Sequence, residues 1–248
     1  MPEYKFGYIC TMFNSGILMP IIIVSGMAYS ILARKLTVSA AFTGALLAII
    51  IFSAAGYTGL AMMTTFFILG SAATSWKKHQ KMVFDGGEGT EKGRSMLQVL
   101  ANAGTAGLAG LVVILCPRLA HLLLPAVAAA FASATADTLS SELGMVYGRK
   151  FFNIISFKPD TCGKDGVISL EGTLIGILGS CIIAGIYALG WGWGISVLFI
   201  VLSGTIGNMT DSVLGALLER KGLIGNNAVN FLNTLLAAGV MLALEGIF

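Results

Sequence analysis

Two aspartates stand where a charged side chain is least expected, inside apolar stretches of the chain. Asp137 lies in AVAAAFASATADTLSSELG and Asp211 lies in LSGTIGNMTDSVLGALLER. A carboxylate below the lipid headgroups costs about 2.5–3.5 kcal/mol on insertion scales, so it normally faces a partner or a water-filled cavity. A hydrogen bond between helices would satisfy such a residue. The matched placement of two aspartates favours instead a carboxylate pair that binds Mg²⁺, a metal that prefers oxygen ligands.

A glycine-rich basic loop, GGEGTEKGRS, offers a second kind of chemistry. Glycines let backbone amides approach an anion closely, and the helix that follows the loop presents its N-terminus there. The loop is not a Walker motif, because no GxxxxGK[ST] string is present. A mobile turn is the alternative interpretation. The candidate phosphate-binding residues are Gly87, Gly89, Gly93 and Ser95, with Lys92 and Arg94 as catalytic cations.

A later loop, FKPDTCGKDG, repeats this combination and adds Lys158 and Lys164 as phosphate ligands. Asparagines at helical spacing either join neighbouring helices or bind a ligand, and both interpretations stay open. The asparagines concerned are Asn102, Asn208, Asn226, Asn227, Asn230 and Asn233. Residues beside the aspartates are additional candidates, although each glutamate could equally pair with a lysine. These are Ser141, Glu142, Ser212 and Glu219.

The composition is that of an integral membrane protein. Of 248 residues, 56% are hydrophobic and 11% are charged, and the mean hydropathy is +0.87. Soluble domains carry about 25% charged residues, so this chain lacks the polar groups to cover a water-facing surface. We therefore predict an all-α fold with one polytopic membrane domain over residues 1–248. Basic residues border the loops without interleaved aromatics, so no nucleic-acid partner is expected.

Hydropathy predicts about eight transmembrane helices, and the charges of the loops orient them. Thirteen of the fifteen basic residues fall in one set of alternate loops, which the positive-inside rule assigns to the cytoplasm. Both termini are then outside, and the polar candidates gather at the cytoplasmic face. The predicted spans lie near 14–33, 37–54, 58–75, 96–116, 120–147, 169–190, 194–218 and 228–247.

Two segments, approximately 86–147 and 160–221, resemble copies of one unit made of a loop and two helices. Ser95 and Ser169 are separated by the same interval as Asp137 and Asp211. Each unit crosses the membrane twice, which predicts parallel repeats. A weaker third copy, over 34–76, lacks a matching aspartate. A pseudo-symmetric pair of units should bring the two aspartates towards each other.

The same motifs resemble one membrane family, which includes the plant phytyl-phosphate kinase of vitamin E synthesis, the animal transmembrane protein 19 and many prokaryotic proteins. The resemblance covers roughly residues 34–245 and suggests a prokaryotic member. Leu139 replaces a tryptophan that often follows the aspartate-threonine pair. The resemblance to this family rests on the strings GGEGTEKGRSMLQVLANAG, ADTLSSELG, ISFKPDTCGKDGVISLEGTLIG, GNMTDSVLGALLERKG and NNAVNFLNT.

The resemblance implies a kinase that transfers the γ-phosphate of CTP or ATP to an isoprenyl monophosphate and gives the diphosphate. Joined to the residues above, it implies that Asp137 and Asp211 hold Mg²⁺ on the nucleotide phosphates. Lys92, Arg94 and Lys164 would then offset the charge of two phosphorylated substrates. Prenyl chain length, nucleotide preference and oligomeric state stay open.

Two alternatives come from other functional classes. A transporter of a small anion or lipid phosphate also uses repeats and intramembrane aspartates, but it needs polar residues that reach both faces. The short outer loops, SAAGYTG and ALGWGWG, argue against it. A CTP-dependent nucleotidyl transferase acting on a lipid phosphate would release pyrophosphate instead of a nucleoside diphosphate.

Overall fold

The computed structural model describes residues 17–81 and 93–247, and most of them are helical. The predicted all-α membrane class is confirmed, and six of the helices are long and apolar enough to cross a membrane. The helices are α1 (Leu18–Leu32), α2 (Val38–Ser75), α3 (Lys78–Lys81), α4 (Met96–Leu115), α5 (Ala120–Tyr147), α6 (Leu170–Trp191), α7 (Ile195–Leu214) and α8 (Asn226–Ile247). A 3-10 turn (Pro117–Leu119) precedes α5, and a π-helical turn (Gly215–Glu219) extends α7.

The 38-residue helix α2 contains both predicted spans of this region, because it bends back on itself at Gly56. Gly56 has φ 59° and ψ −152°, a conformation that only glycine adopts easily. Lys35, just before α2, donates a hydrogen bond to Ser75 Oγ at its far end, at 2.6 Å. The two halves are therefore antiparallel, and each spans about 27 Å at 1.5 Å per residue. With the shorter α1, the eight predicted apolar segments are all found as helices.

Helix α5 lies at the centre of the bundle and packs against α2, α4, α6, α7 and α8. Its residues 126–132 are at most 1% exposed, and six of the seven are Ala or Phe. Small side chains let five neighbouring helices approach one central helix. The C-terminal half of α5 carries Asp137, which is 8% exposed, towards the charged end of the bundle.

Contacts between helix ends place the charged loops at one end of the bundle, which we call the basic face. The backbone N–H of Arg94 donates to Lys35 O at 2.8 Å, so the start of α4 lies beside the end of α1. The ammonium group of Lys81 forms an ion pair with Glu142 on α5. The cytoplasmic orientation of this face stays a prediction from the positive-inside rule.

A β-hairpin, absent from the sequence prediction, covers part of the basic face. Strands β1 (Phe152–Asn153) and β2 (Val167–Ile168) pair antiparallel. Asp160, in the connecting loop, accepts a hydrogen bond from Arg220 Nη1 at 2.7 Å. Gly166 has φ 73°, and an added Cβ there would lie 2.3 Å from Ala216 Cβ. The hairpin loop is therefore fixed against the end of α7.

Close packing between α5 and α7 gives a first prediction. A Cβ on Gly207 would lie 2.1 Å from Ser133 Oγ and 2.8 Å from Ser133 Cβ, so Gly207→Ala must separate the two helices. We expect it to lower the free energy of unfolding by about 1–3 kcal/mol. Gly239→Ala on α8, where nothing lies within 4 Å of the new Cβ, is the matched control. Thermal unfolding in detergent measures both, and equal midpoints would contradict this packing.

The Asp160–Arg220 contact gives a second prediction. Arg220 lowers the pKa of Asp160 from 3.8 to about 2. Because the folded-state pKa is depressed, the contact stabilises the hairpin above the ordinary pKa and is lost as pH falls towards 2. Hydrogen exchange of residues 154–166, corrected for intrinsic rates, should therefore accelerate between about pH 4 and pH 2. Asp160→Asn should abolish this step while α5 amides stay protected in both proteins. An identical step in the variant would assign it to another group.

Candidate functional site

The two intramembrane aspartates meet. The carboxyl groups of Asp137 on α5 and Asp211 on α7 lie within hydrogen-bond distance of each other. Asp137 is ten residues from the end of α5, which places the pair roughly 15 Å below the end of that helix at 1.5 Å per residue. The predicted approach of the two residues is observed, while the duplication that suggested it stays a prediction. Two carboxyl groups in contact can share a proton or a cation.

Amide and hydroxyl side chains orient this carboxyl pair. Asn233 on α8 donates from Nδ2 to Asp211 Oδ1 at 2.7 Å, and its Oδ1 accepts from Ser133 at 3.1 Å. On the other side, Ser140 donates to Asn208 Oδ1 at 2.9 Å. Asn233 is only 1% exposed. Its two hydrogen bonds therefore hold Asp211 in place by connecting α5, α7 and α8.

A polar cavity of about 230 Å³ opens beside Asp211 between the hairpin and the ends of α5, α6, α7 and α8. Gly144 and Gly172 face each other in its wall, with 3.2 Å between a Cβ added to either and the other's Cα. Several predicted site residues line the cavity. They are Ser141, Lys164, Asn208, Asp211, Ser212, Glu219 and Asn226.

Further carboxylates surround this cavity. Asp165 and Glu219 line it, and both lie close enough to Asp211 for electrostatic repulsion. Asn226 is hydrogen-bonded to Glu219 and accepts from Asn230 Nδ2 at 3.3 Å. The π-helical turn that carries Glu219 is a kind of distortion often found at functional sites. So many carboxylates near one another favour the presence of a cation.

The donor set suits Mg²⁺ shared with a ligand better than a metal held by protein alone. Among residues 17–81 and 93–247, no three His, Cys, Asp or Glu side chains are arranged to hold a metal ion. Mg²⁺ is commonly bound through one or two carboxylates together with water and substrate phosphates. Asp137 and Asp211 provide such a pair, so the residues present fit the metal.

Opposite the polar cavity, α5 faces two cations. Glu142 pairs with Lys81, whose ammonium group also donates to Ala73 O at 2.8 Å and is therefore fully engaged. Arg94 lies over the ring of Phe66 at 5.9 Å, and burial lowers the pKa of its guanidinium. A Cβ on Gly70 would lie 3.0 Å from Arg94 Nη2 and 3.4 Å from Thr138 Cγ2. The guanidinium and Thr138, the residue next to Asp137, therefore both lie against Gly70.

The remaining predicted residues occupy different places. Ser95 caps α4, with its hydroxyl accepting from Gln98 N, and Gly93 packs at φ 73° against the backbone of residues 34–36. Asn102 donates to Gln98 O at 2.8 Å. Neither Lys158, in the hairpin loop, nor Asn227, beside apolar residues of α4, lines the polar cavity. Gly87, Gly89 and Lys92 lie outside the described residues.

Sequence reasoning missed two charged residues. In this loop the sequence analysis selects Lys164 and not Asp165, although an acidic residue between a lysine and a glycine is a visible signal. Lys81 lies 61 positions from Glu142, and no local pattern joins them. Only the packing of α3 against α5 brings this pair together.

Comparison with known proteins places the chain among membrane proteins. The family model described as integral membrane protein DUF92 matches residues 21–238. An uncharacterized membrane protein of Synechocystis is 32% identical over 80% of this chain and 78% of the relative. One of Methanocaldococcus jannaschii is 37% identical over 73% of each chain. The chloroplastic protein VTE6 of Arabidopsis thaliana is 28% identical over 87% of this chain and 67% of its own length.

No solved structure matches the chain. The family match nevertheless extends from α1 to α8 and includes both aspartates, the hairpin and the asparagines of α8. The resemblance seen in the motifs is confirmed by this match. The chain belongs to the integral membrane protein DUF92 family.

Proposed function

We propose that this protein is a prenyl-phosphate kinase, which transfers the γ-phosphate of CTP or ATP to an isoprenyl monophosphate. The observation that carries the proposal is the contact between Asp137 and Asp211 beside a polar cavity at the basic face. The resemblance of the motifs to the family of the plant phytyl-phosphate kinase supports it, together with the match to the chloroplastic plant relative VTE6. The basic face is proposed to be cytoplasmic, where nucleotides and Mg²⁺ are abundant.

The proposed reaction needs positioning more than acid–base chemistry. An oxygen of the prenyl monophosphate attacks the γ-phosphorus, the bond from that phosphorus to the β–γ bridging oxygen breaks, and the nucleoside diphosphate leaves. The attacking oxygen is already anionic, so no strong general base is required. Alignment of the two phosphates and stabilisation of their charge then supply most of the rate.

Asp137 and Asp211 are the residues proposed to hold Mg²⁺. When bound, the metal would neutralise charge on the phosphates of the nucleotide. Asn233 and Ser133 act as positioning residues, because Asn233 donates to the Asp211 carboxylate at 2.7 Å and Ser133 donates to Asn233 at 3.1 Å. A carboxylate held in one orientation requires little reorganisation when the phosphates arrive.

Two cations flank the carboxyl pair from opposite sides of α5. Lys164 lines the polar cavity and is held 3.6 Å from Asp160, while on the other side Arg94 lies against Gly70, as does Thr138 of α5. Lys92, two residues before Arg94, is proposed as a third. Two phosphorylated substrates repel each other, and cations on both sides would allow them to approach.

Isosteric replacement of the aspartates tests the proposal. Asp137→Asn and Asp211→Asn remove a metal ligand but keep a side chain that can hydrogen-bond the remaining carboxyl group, so folding should be preserved. We expect each to lower turnover at least about 100-fold, since several kcal/mol of charge stabilisation are lost. The measurement is the formation of prenyl diphosphate and nucleoside diphosphate from labelled CTP or ATP in detergent.

Glu245→Gln provides the matched control, because Glu245 also lies within the bundle but at the opposite end, where it accepts from Ser196. Its turnover should equal that of the unchanged protein. Near-normal turnover in both folded aspartate variants would remove the metal assignment. Release of pyrophosphate with a nucleotide-linked lipid would replace the kinase with a nucleotidyl transferase. Substrate uptake by vesicles without turnover would favour the transporter.

A further inference from the structure

A second cavity, of about 160 Å³, lies on the other side of α5 from the polar one. It is enclosed by α1, both halves of α2 and the first turns of α4, and we call it the apolar groove. One wall is made of small residues at helical spacing, Ala41, Gly44, Ala45 and Ala48. Met63, Phe66 and Phe67 form the facing wall. The groove follows about seven residues of α2, or roughly 10 Å along the helix at 1.5 Å per residue.

The groove is apolar along its length but polar at the basic face. Arg94, Gln98 and Asn102 line that end. Within the described ranges, no carboxylate lies within ion-pair distance of Arg94, and its hydrogen bond to Thr74 Oγ1 is long, at 3.5 Å. A half-buried guanidinium with most of its N–H donors unused is suited to an anionic group.

Two glycines show that the groove has unfilled space. A Cβ added to Gly26 on α1 or to Gly44 on α2 would have nothing within 4 Å. By contrast, the glycines between α5 and α7 would meet neighbours at less than 3 Å. Empty apolar space in a bundle that is otherwise closely packed loses dispersion contacts, so an occupant is favoured.

We propose that the apolar groove binds the hydrocarbon tail of a lipid monophosphate, whose phosphate is held by Arg94. The inference rests on the proposed function, because that phosphate would be the acceptor. Arg94 carries the argument: it lines the basic end of the groove and lies against Gly70, the same glycine that Thr138 of α5 approaches. Lipid and nucleotide would then enter from opposite sides of α5 and meet at Asp137.

The charge at the basic end decides between possible occupants. An apolar helix of a partner or a neutral lipid would leave the Arg94 guanidinium buried without an anion, which is costly. A tail that bears a phosphate satisfies both ends of the groove. Among residues 17–81 and 93–247, Glu142 is the carboxylate that interacts electrostatically with Arg94, and it is already engaged by Lys81.

Photocrosslinking tests the groove without requiring catalysis. The probe is geranylgeranyl monophosphate with a diazirine on its terminal isoprene unit, applied to the purified full chain in detergent without nucleotide or Mg²⁺. Labelled peptides should come from α1, α2 and α4. Unlabelled geranylgeranyl monophosphate should compete, and geranylgeraniol, which has no phosphate, should compete at least about tenfold less well.

Filling the groove provides the decisive variant. Gly44→Leu occupies the open space and should lower labelling about tenfold or more, and Arg94→Gln should remove the preference for the phosphate. Gly185→Leu is the matched control, because Gly185 is also within a helix, on α6, with nothing within 4 Å of its Cβ. Gel filtration and thermal midpoints confirm that each variant is folded.

The outcomes separate this inference from the kinase proposal. Labelling on α6 to α8, or equal labelling of Gly44→Leu and the unchanged protein, would overturn the groove even if prenyl diphosphate is formed. Equal competition by geranylgeraniol or by a two-chain phospholipid would also overturn it, since any lipid would then fit. Phosphate-dependent labelling lost in Gly44→Leu would support the groove even if no nucleotide supports turnover.

Discussion

Two carboxyl groups in contact within a membrane bundle are the constraint on which this structure depends. Asp137 and Asp211 would repel each other if both were charged and unpartnered. The Asp211 carboxylate accepts a hydrogen bond from the side-chain amide of Asn233 and lines a polar cavity. The hydrogen bonds of Asn233 also join α5, α7 and α8, so the position of the Asp211 carboxylate depends on the packing of these three helices.

The central helix determines how close these groups can come. The alanine-rich run of residues 126–132 lets five helices pack around α5. Because Gly207 has no side chain, α7 can pack directly against Ser133 of α5. Larger residues on this face would separate α5 from α7 and pull the carboxyl groups apart. Helix packing and site geometry are therefore determined by the same small side chains.

Helix α5 also separates two unlike environments. On one side, the hairpin and the ends of α6 to α8 form a polar cavity with Lys164 and several carboxylates. On the other, α1, α2 and α4 enclose an apolar space that ends at Arg94. An enzyme that joins a water-soluble phosphate donor to a lipid needs such a division, with the reacting groups at the boundary. The arrangement supports the proposed kinase.

The membrane class, the helical segments and the candidate aspartates can be predicted from the amino-acid sequence, because hydrophobicity and helix breakers are local properties of the chain. The two aspartates are recognisable without a structure because each is a charged residue in an apolar run. The reversal at Gly56, the hairpin loop fixed by Asp160, the Lys81–Glu142 pair and the position of Asp165 are seen only in the folded protein. These depend on contacts between residues far apart in the chain, and no local pattern encodes which distant partner a side chain meets.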